Sequence, residues 1–167
     1  MAYRNKTYVC FDADTDMHYY RLMQAWKQND NIDFNFYNAH DLNNLMQTSS
    51  EETIKTKLRE RLRNTKVFVL LIGESTKYLY KFVKWEIEIA LKMDLPIIAV
   101  NLNGKRQKDT DLCPPILQNE LAVHISFNAA ILQYSLEHWI DRHAVLRKEG
   151  KSGSYYYPNE VYQSLDL

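Results

Sequence analysis

The stretch Phe82-Val83-Lys84-Trp85-Glu86-Ile87-Glu88-Ile89-Ala90 holds two glutamates whose spacing gives them different surroundings. At 100° per residue on a helix, Glu86 falls at the centre of a face made by Phe82, Val83, Ile89, Ala90 and Met93. Glu88 falls on the other side, with Lys84 and Lys92 each four residues away. A carboxylate embedded in an apolar face must be paired, be neutral or line a cavity, because burying it ionised and alone is costly. Glu86 is therefore either half of a structural ion pair with a nearby Lys or Arg, or a carboxylate held for chemistry. The spacing leaves both open.

The other chemistry-bearing patterns are weaker. Asp12-x-Asp14-x-Asp16 opens like a calcium loop, which then needs a glycine and, at its twelfth position, a glutamate. Met17 and Met23 stand there instead. Paired acids after a first strand can also hold Mg²⁺ in a phosphoacceptor domain, but that use needs an aspartate at the end of the third strand, where the chain has Gly73-Glu74-Ser75. The acidic turn reads as helix capping and polar lining. Lys55, Lys57, Arg59, Arg61, Arg63 and Lys66 lack the interleaved aromatics of a nucleic-acid site and read as a solvated helix face. Gly73 has no companion glycines at dinucleotide or phosphate-loop spacing. Cys10 and Cys113 are too few for a disulfide framework or a zinc site, Cys10 reading as a small buried hydrophobe. His124, inside an apolar strand, reads as a satisfied core residue. No metal site is expected.

These residues need a scaffold. The chain has 167 residues, 46% of them apolar and 25% charged, with zero formal net charge, which suits one globular domain and gives no global field toward nucleic acid or membrane. The polar start of the chain and the shortness of its apolar runs point to a cytoplasmic protein. Thr7–Phe11, Ile32–Tyr37, Val67–Ile72, Pro96–Val100 and Leu121–Phe127 read as strands. Helices are predicted from the acidic turn through Trp26, from Ser49 or Ser50 through Leu62, over Tyr80–Met93 and over Ala129–Ile140, with a long loop at Asn38–Ser50. Strands alternating with helices imply βαβ units, hence an α/β, flavodoxin-like three-layer fold with a five-stranded parallel sheet in the order 2-1-3-4-5. Ligands bind such sheets beyond the carboxyl ends of the strands, at the switch between strands one and three. That gathers Phe11–Asp16, Tyr37–Asp41 and Gly73–Lys77 around one cleft. The domain is expected to span 1–143, and 144–167 to form a tail packed on the domain or on a partner, with a flexible joint at Gly150–Ser154.

Three stretches together resemble the TIR-like domains of the Thoeris antiphage family, within the Toll/interleukin-1 receptor domain superfamily. They are Tyr8-Val9-Cys10-Phe11-Asp12-Ala13-Asp14, Phe36-Tyr37-Asn38-Ala39-His40-Asp41 through Leu62, and Val69-Leu70-Leu71-Ile72-Gly73 through Trp85-Glu86-Ile87-Glu88 to Asn101. The resemblance implies a domain that takes NAD⁺ as substrate, not as a cofactor, and breaks the nicotinamide–ribose bond with a glutamate on the helix after the third strand. Glu86 matches that glutamate. Phe11, Asp12, Asp14, Tyr37, Asp41, Gly73, Phe82 and Trp85 are the expected substrate contacts, with Phe82, Trp85 or Phe11 as the apolar wall. The resemblance further implies an ADP-ribose-derived messenger, cyclic in some members, a separate effector that it switches on, and a homodimer or larger self-assembly. Other domains of this superfamily only bind partners, so a non-catalytic interaction module is the alternative.

Overall fold

The computed structural model describes residues 6–28, 50–79 and 82–167, together with the backbone of 35–37. The loop expected at Asn38–Ser50, and Asp41 within it, lies outside the described residues apart from Ser50.

Among the described residues, six parallel strands form the sheet: β1 (Lys6–Cys10), β2 (Asn35–Tyr37), β3 (Val67–Ile72), β4 (Ile97–Asn101), β5 (Ala122–Ser126) and β6 (Ser154–Tyr156). Their order is β2-β1-β3-β4-β5-β6. The helices are α1 (Met17–Gln28), α2 (Glu51–Arg63), α3 (Phe82–Lys92), α4 (Ala129–Lys148) and α5 (Asn159–Ser164). No helix of the described residues is long and apolar enough to cross a membrane.

The central strands are apolar at every position because both faces of the sheet are covered. Alternation sends Val9, Val69, Val100 and Val123 into one core with Tyr20, Trp139 and Tyr162. It sends Tyr8, Cys10, Phe68, Leu70 and Ala99 into a second core with Leu58 of α2 and Ile87 of α3. Ser50 caps α2, its side chain accepting from the Thr53 amide at 3.3 Å, and Ile54, Leu58 and Leu62 form the buried stripe.

The C-terminal part departs from expectation. Helix α4 runs to Lys148 rather than ending at Ile140, because Trp139, His143 and Leu146 prolong its buried stripe. The boundary drawn at residue 143 falls inside that helix. The chain then turns at Gly150, whose φ of 70° suits glycine, and the predicted joint leads straight into β6. Among the described residues the sheet has six strands instead of five, because β5 offers an open edge to which Ser154–Tyr156 pairs. Beyond it Tyr162 is wholly buried. The Ser126 amide donates to its hydroxyl at 3.4 Å, and the Arg106 guanidinium lies 4.2 Å from its ring centroid.

Candidate functional site

Helix α3 places its two glutamates as the spacing predicts. Glu86 is buried at 7% exposure, while the Glu88 carboxylate reaches solvent and lies 4.0 Å from Lys84. The buried stripe differs in detail, comprising Val83, Glu86, Ile87, Ile89 and Ala90. Met93 lies outside it, 37% exposed, because the helix ends at Lys92 and Leu95 turns back to bond Ala90.

The polar groups acting on the Glu86 carboxyl come from β1. Burial pushes that carboxyl up to about 7, and hydrogen bonding with the Cys10 thiol and the Tyr8 hydroxyl holds it from rising further. Reciprocally, burial and then Glu86 raise both Tyr8 and Cys10 well above their ordinary values, so both stay protonated at neutral pH. The Tyr8 ring stacks on Phe68 at 5.6 Å. Its hydroxyl is buried and closes no hydrogen bond of regular geometry among the described residues, so its attraction to Glu86 acts across a looser contact. Among the described residues, the groups tuning Glu86 are thus neutral donors rather than a Lys or Arg.

A second polar cluster sits where β1 and β3 end, at the switch point. Asp12 closes the turn: its carbonyl accepts from the Asp16 amide at 2.8 Å, and Oδ1 accepts from the Asp14 amide at 3.0 Å. Its Oδ2 accepts from the Ser75 hydroxyl at 2.6 Å, tying the two strand ends together. The Gly73 amide donates to Thr76 Oγ1 at 2.9 Å. A Cβ at Gly73 would stand 2.4 Å from Asp16 Oδ2, so a larger residue there must displace that carboxylate. Burial, then the neighbouring Asp12, raises the Asp16 carboxyl.

The predicted contact residues therefore divide. Phe82 and Trp85 pack beside the second core, on the Glu86 side of the sheet, edge to face at 5.3 Å. The Lys55 ammonium lies 5.2 Å from the Trp85 ring, so this indole also bridges α3 to α2. Asp12 and Gly73 belong to the switch-point cluster, and Asp14 is exposed beside it. The backbone of Tyr37 pairs with Tyr8 at the end of β2. Phe11 goes elsewhere. It stacks on Tyr20 at 4.8 Å in the first core, so the structure corrects its expected place in the wall around Glu86: one residue past Cys10, alternation turns it to the opposite face.

Residues 8–107 match the family of the Thoeris protein ThsB, TIR-like domain. The chain belongs to this family. Membership connects the domain with antiphage signalling of the TIR type, and the matched span contains both the Glu86 environment and the switch-point cluster. Some features of the fold escape sequence reasoning. Tyr8 and Cys10 were legible as one face of a strand, but nothing local said which helix that face meets. Asp16 and Ser75 fell in segments gathered around the predicted cleft, but nothing in the sequence paired Ser75 with Asp12 or set Asp16 against Gly73. His124, expected to be satisfied, is fully buried with neither ring nitrogen hydrogen-bonded among the described residues. Burial and then the Lys108 charge hold it down to about 4, which keeps the imidazole neutral.

Proposed function

We propose that this domain is an NAD⁺-consuming signalling enzyme of antiphage defence, in which Glu86 acts at the nicotinamide–ribose bond. One observation carries the reading: the carboxyl of Glu86, on the helix after the third strand, is buried, and among the described residues the groups acting on it are the neutral Cys10 and Tyr8. Nicotinamide departs as a neutral molecule and leaves an oxocarbenium-like ribose. An ionised carboxylate nearby stabilises that charge, most strongly in a water-poor site. A single carboxylate suffices because the cationic leaving group needs no protonation. The positive charge of the bound pyridinium also favours the ionised form of Glu86 over the neutral one.

Phe82 and Trp85 supply apolar surface on the same side of the sheet for shielding or stacking the substrate. The product in this reading is ADP-ribose, released or closed into a cyclic isomer, acting as a messenger to a separate effector. The active form is a homodimer or larger assembly, in which a neighbouring subunit completes the site. Incubation of the purified protein with NAD⁺, across a range of protein concentrations that populates self-assembly, is expected to release free nicotinamide. Absence of nicotinamide from the assembled protein would instead favour a non-catalytic interaction module.

A further inference from the structure

The parallel strands β1, β3, β4 and β5 end on one rim of the sheet, and the loops leaving that rim are tied to one another in a chain. Ser75 bonds Asp12 across the first two strand ends at 2.6 Å. Two residues on, Lys77 lies in the short 3-10 turn Thr76–Tyr78, and its ammonium donates to the Asp111 carbonyl at 2.6 Å. Asp111 belongs to the loop after β4, where its amide donates to Asp109 Oδ1 at 2.9 Å. That loop is also held by Asn101, buried at the end of β4. Its side-chain amide donates to the carbonyls of Lys105 at 3.0 Å and Gln107 at 2.7 Å. Those two bonds flank Arg106, whose guanidinium lies over the ring of Tyr162 from α5 at 4.2 Å.

We propose that Tyr162 is a positioning residue for the switch-point cluster: α5 clamps the loop after β4 through Arg106, and that loop holds the Thr76–Tyr78 turn through Lys77. Tyr162 is suited to be the fixed end of the clamp. Its side chain is wholly buried, its hydroxyl accepts from the Ser126 amide at the end of β5, and its carbonyl accepts from the Leu165 and Leu167 amides. Arg106 is exposed, and a guanidinium can lie on an aromatic face while its edge stays in water, so the contact does not require a buried charge. The Lys77 bond at the other end is charge-assisted, which makes it stronger than a neutral one of the same length. The span matched to the family, residues 8–107, contains Lys77 and Arg106 but not Tyr162, so the clamp draws on a residue outside that span. Its consequence for turnover rests on the reading of this domain as an NAD⁺-cleaving enzyme.

Amide hydrogen exchange read by NMR follows the two linked segments separately, with the amides of α2 as a reference that the clamp does not touch. The hydrogen-bonded amides of Gly104 and Asp111 report on the loop, and those of Tyr78 and Leu79 on the turn. Arg106→Ala is expected to speed exchange about two- to fivefold in the loop and about twofold in the turn. Lys77→Ala should speed the turn alone, and adding Arg106→Ala to it should change the turn no further. Tyr162→Leu, which keeps apolar volume without a ring, should reproduce Arg106→Ala in both segments, whereas Tyr162→Phe, which keeps the ring, should stay close to the parent. Unchanged exchange at Tyr78 and Leu79 in Arg106→Ala overturns the proposal, as does an additive effect in the double variant. In nicotinamide release from NAD⁺, Arg106→Ala should raise KM about twofold with kcat retained. If exchange in the turn rises while KM keeps its parent value, the clamp stands and the place of the switch-point cluster in binding NAD⁺ fails.

Discussion

Asp109 and Glu86 are carboxylates of similar exposure, 4% and 7%, in two regions that treat them in opposite ways. Asp109 sits in the polar loop after β4, where the loop folds its own donors around it. Burial there raises its proton affinity, but Lys105 at 3.0 Å, Asn103 Nδ2 at 2.9 Å and the amides of Leu112 and Asp111 outweigh burial and bring it to about 2. For Glu86, buried on α3, the Cys10 thiol and the Tyr8 phenol are the groups that favour its charge among the described residues, and burial wins, bringing it to about 7. Burial by itself decides nothing about a carboxylate; the number and charge of its donors do. The loop spends its carboxylate on structure, whereas the α3–β1 contact leaves one poised near neutrality.

The largest expected effect tests whether that poise serves chemistry. Glu86→Gln keeps volume and hydrogen-bonding capacity but removes the charge, so nicotinamide release should fall by at least about 100-fold. Stability should move the other way. Because the folded Glu86 holds its proton more tightly than the unfolded chain does, the parent loses stability as pH rises from about 4.5 to about 7. Above that window Glu86→Gln should be more stable than the parent by about 3 kcal/mol, and below it equal, as read by urea unfolding at a series of pH values. A variant less stable than the parent at pH 8 would mean that Glu86 is a net structural asset.

Asp109→Asn examines the other side of the comparison. The Asp109 carboxylate is held low, so its contribution is present above the unfolded value near 4 and is lost as pH falls toward about 2. Because Lys105 is 59% exposed and its pairing is screened, the expected loss at neutral pH is about 1–2 kcal/mol, vanishing in acid. A loss independent of pH would assign the effect to loop packing instead.

Gly73→Ala probes another buried carboxyl, that of Asp16. The added methyl meets Asp16 and is expected to destabilise by about 1–3 kcal/mol, with Asp16→Ala in the same background restoring most of it. Full cost in the double variant would show that the clash lies with the backbone. Smallest of all, Glu88→Gln should change stability by less than about 0.5 kcal/mol, because its pairing with Lys84 is long and half-exposed. Its turnover should match the parent; a loss comparable to that of Glu86→Gln would reverse the roles of the two residues.

Much of the scaffold was legible from short-range periodicity. Val67–Ile72 was readable to the residue because an unbroken apolar run meets Gly73. A serine at 49 or 50 before two glutamates announced α2, and Ser50 is the one that caps it. The opposite environments of Glu86 and Glu88 followed from 100° per residue. The tail was illegible for a different reason: Ser154–Tyr156 has no strand pattern of its own and becomes one only against the free edge of β5. The length of α4 was missed because His143 reads as polar in sequence, although in the fold it is buried in the helix's apolar stripe.

The sequence alone determined properties set by backbone geometry within one element: strand and helix type, the faces of α3, the end of β3 at Gly73, and membership in the ThsB-like family through residues 8–107. Tertiary structure decided which layer each face of β1 meets. A strand apolar on both sides carries no mark distinguishing one layer from the other, so Tyr8 and Cys10 toward Glu86, and Phe11 toward Tyr20, are settled only when helices pack on both faces of the sheet.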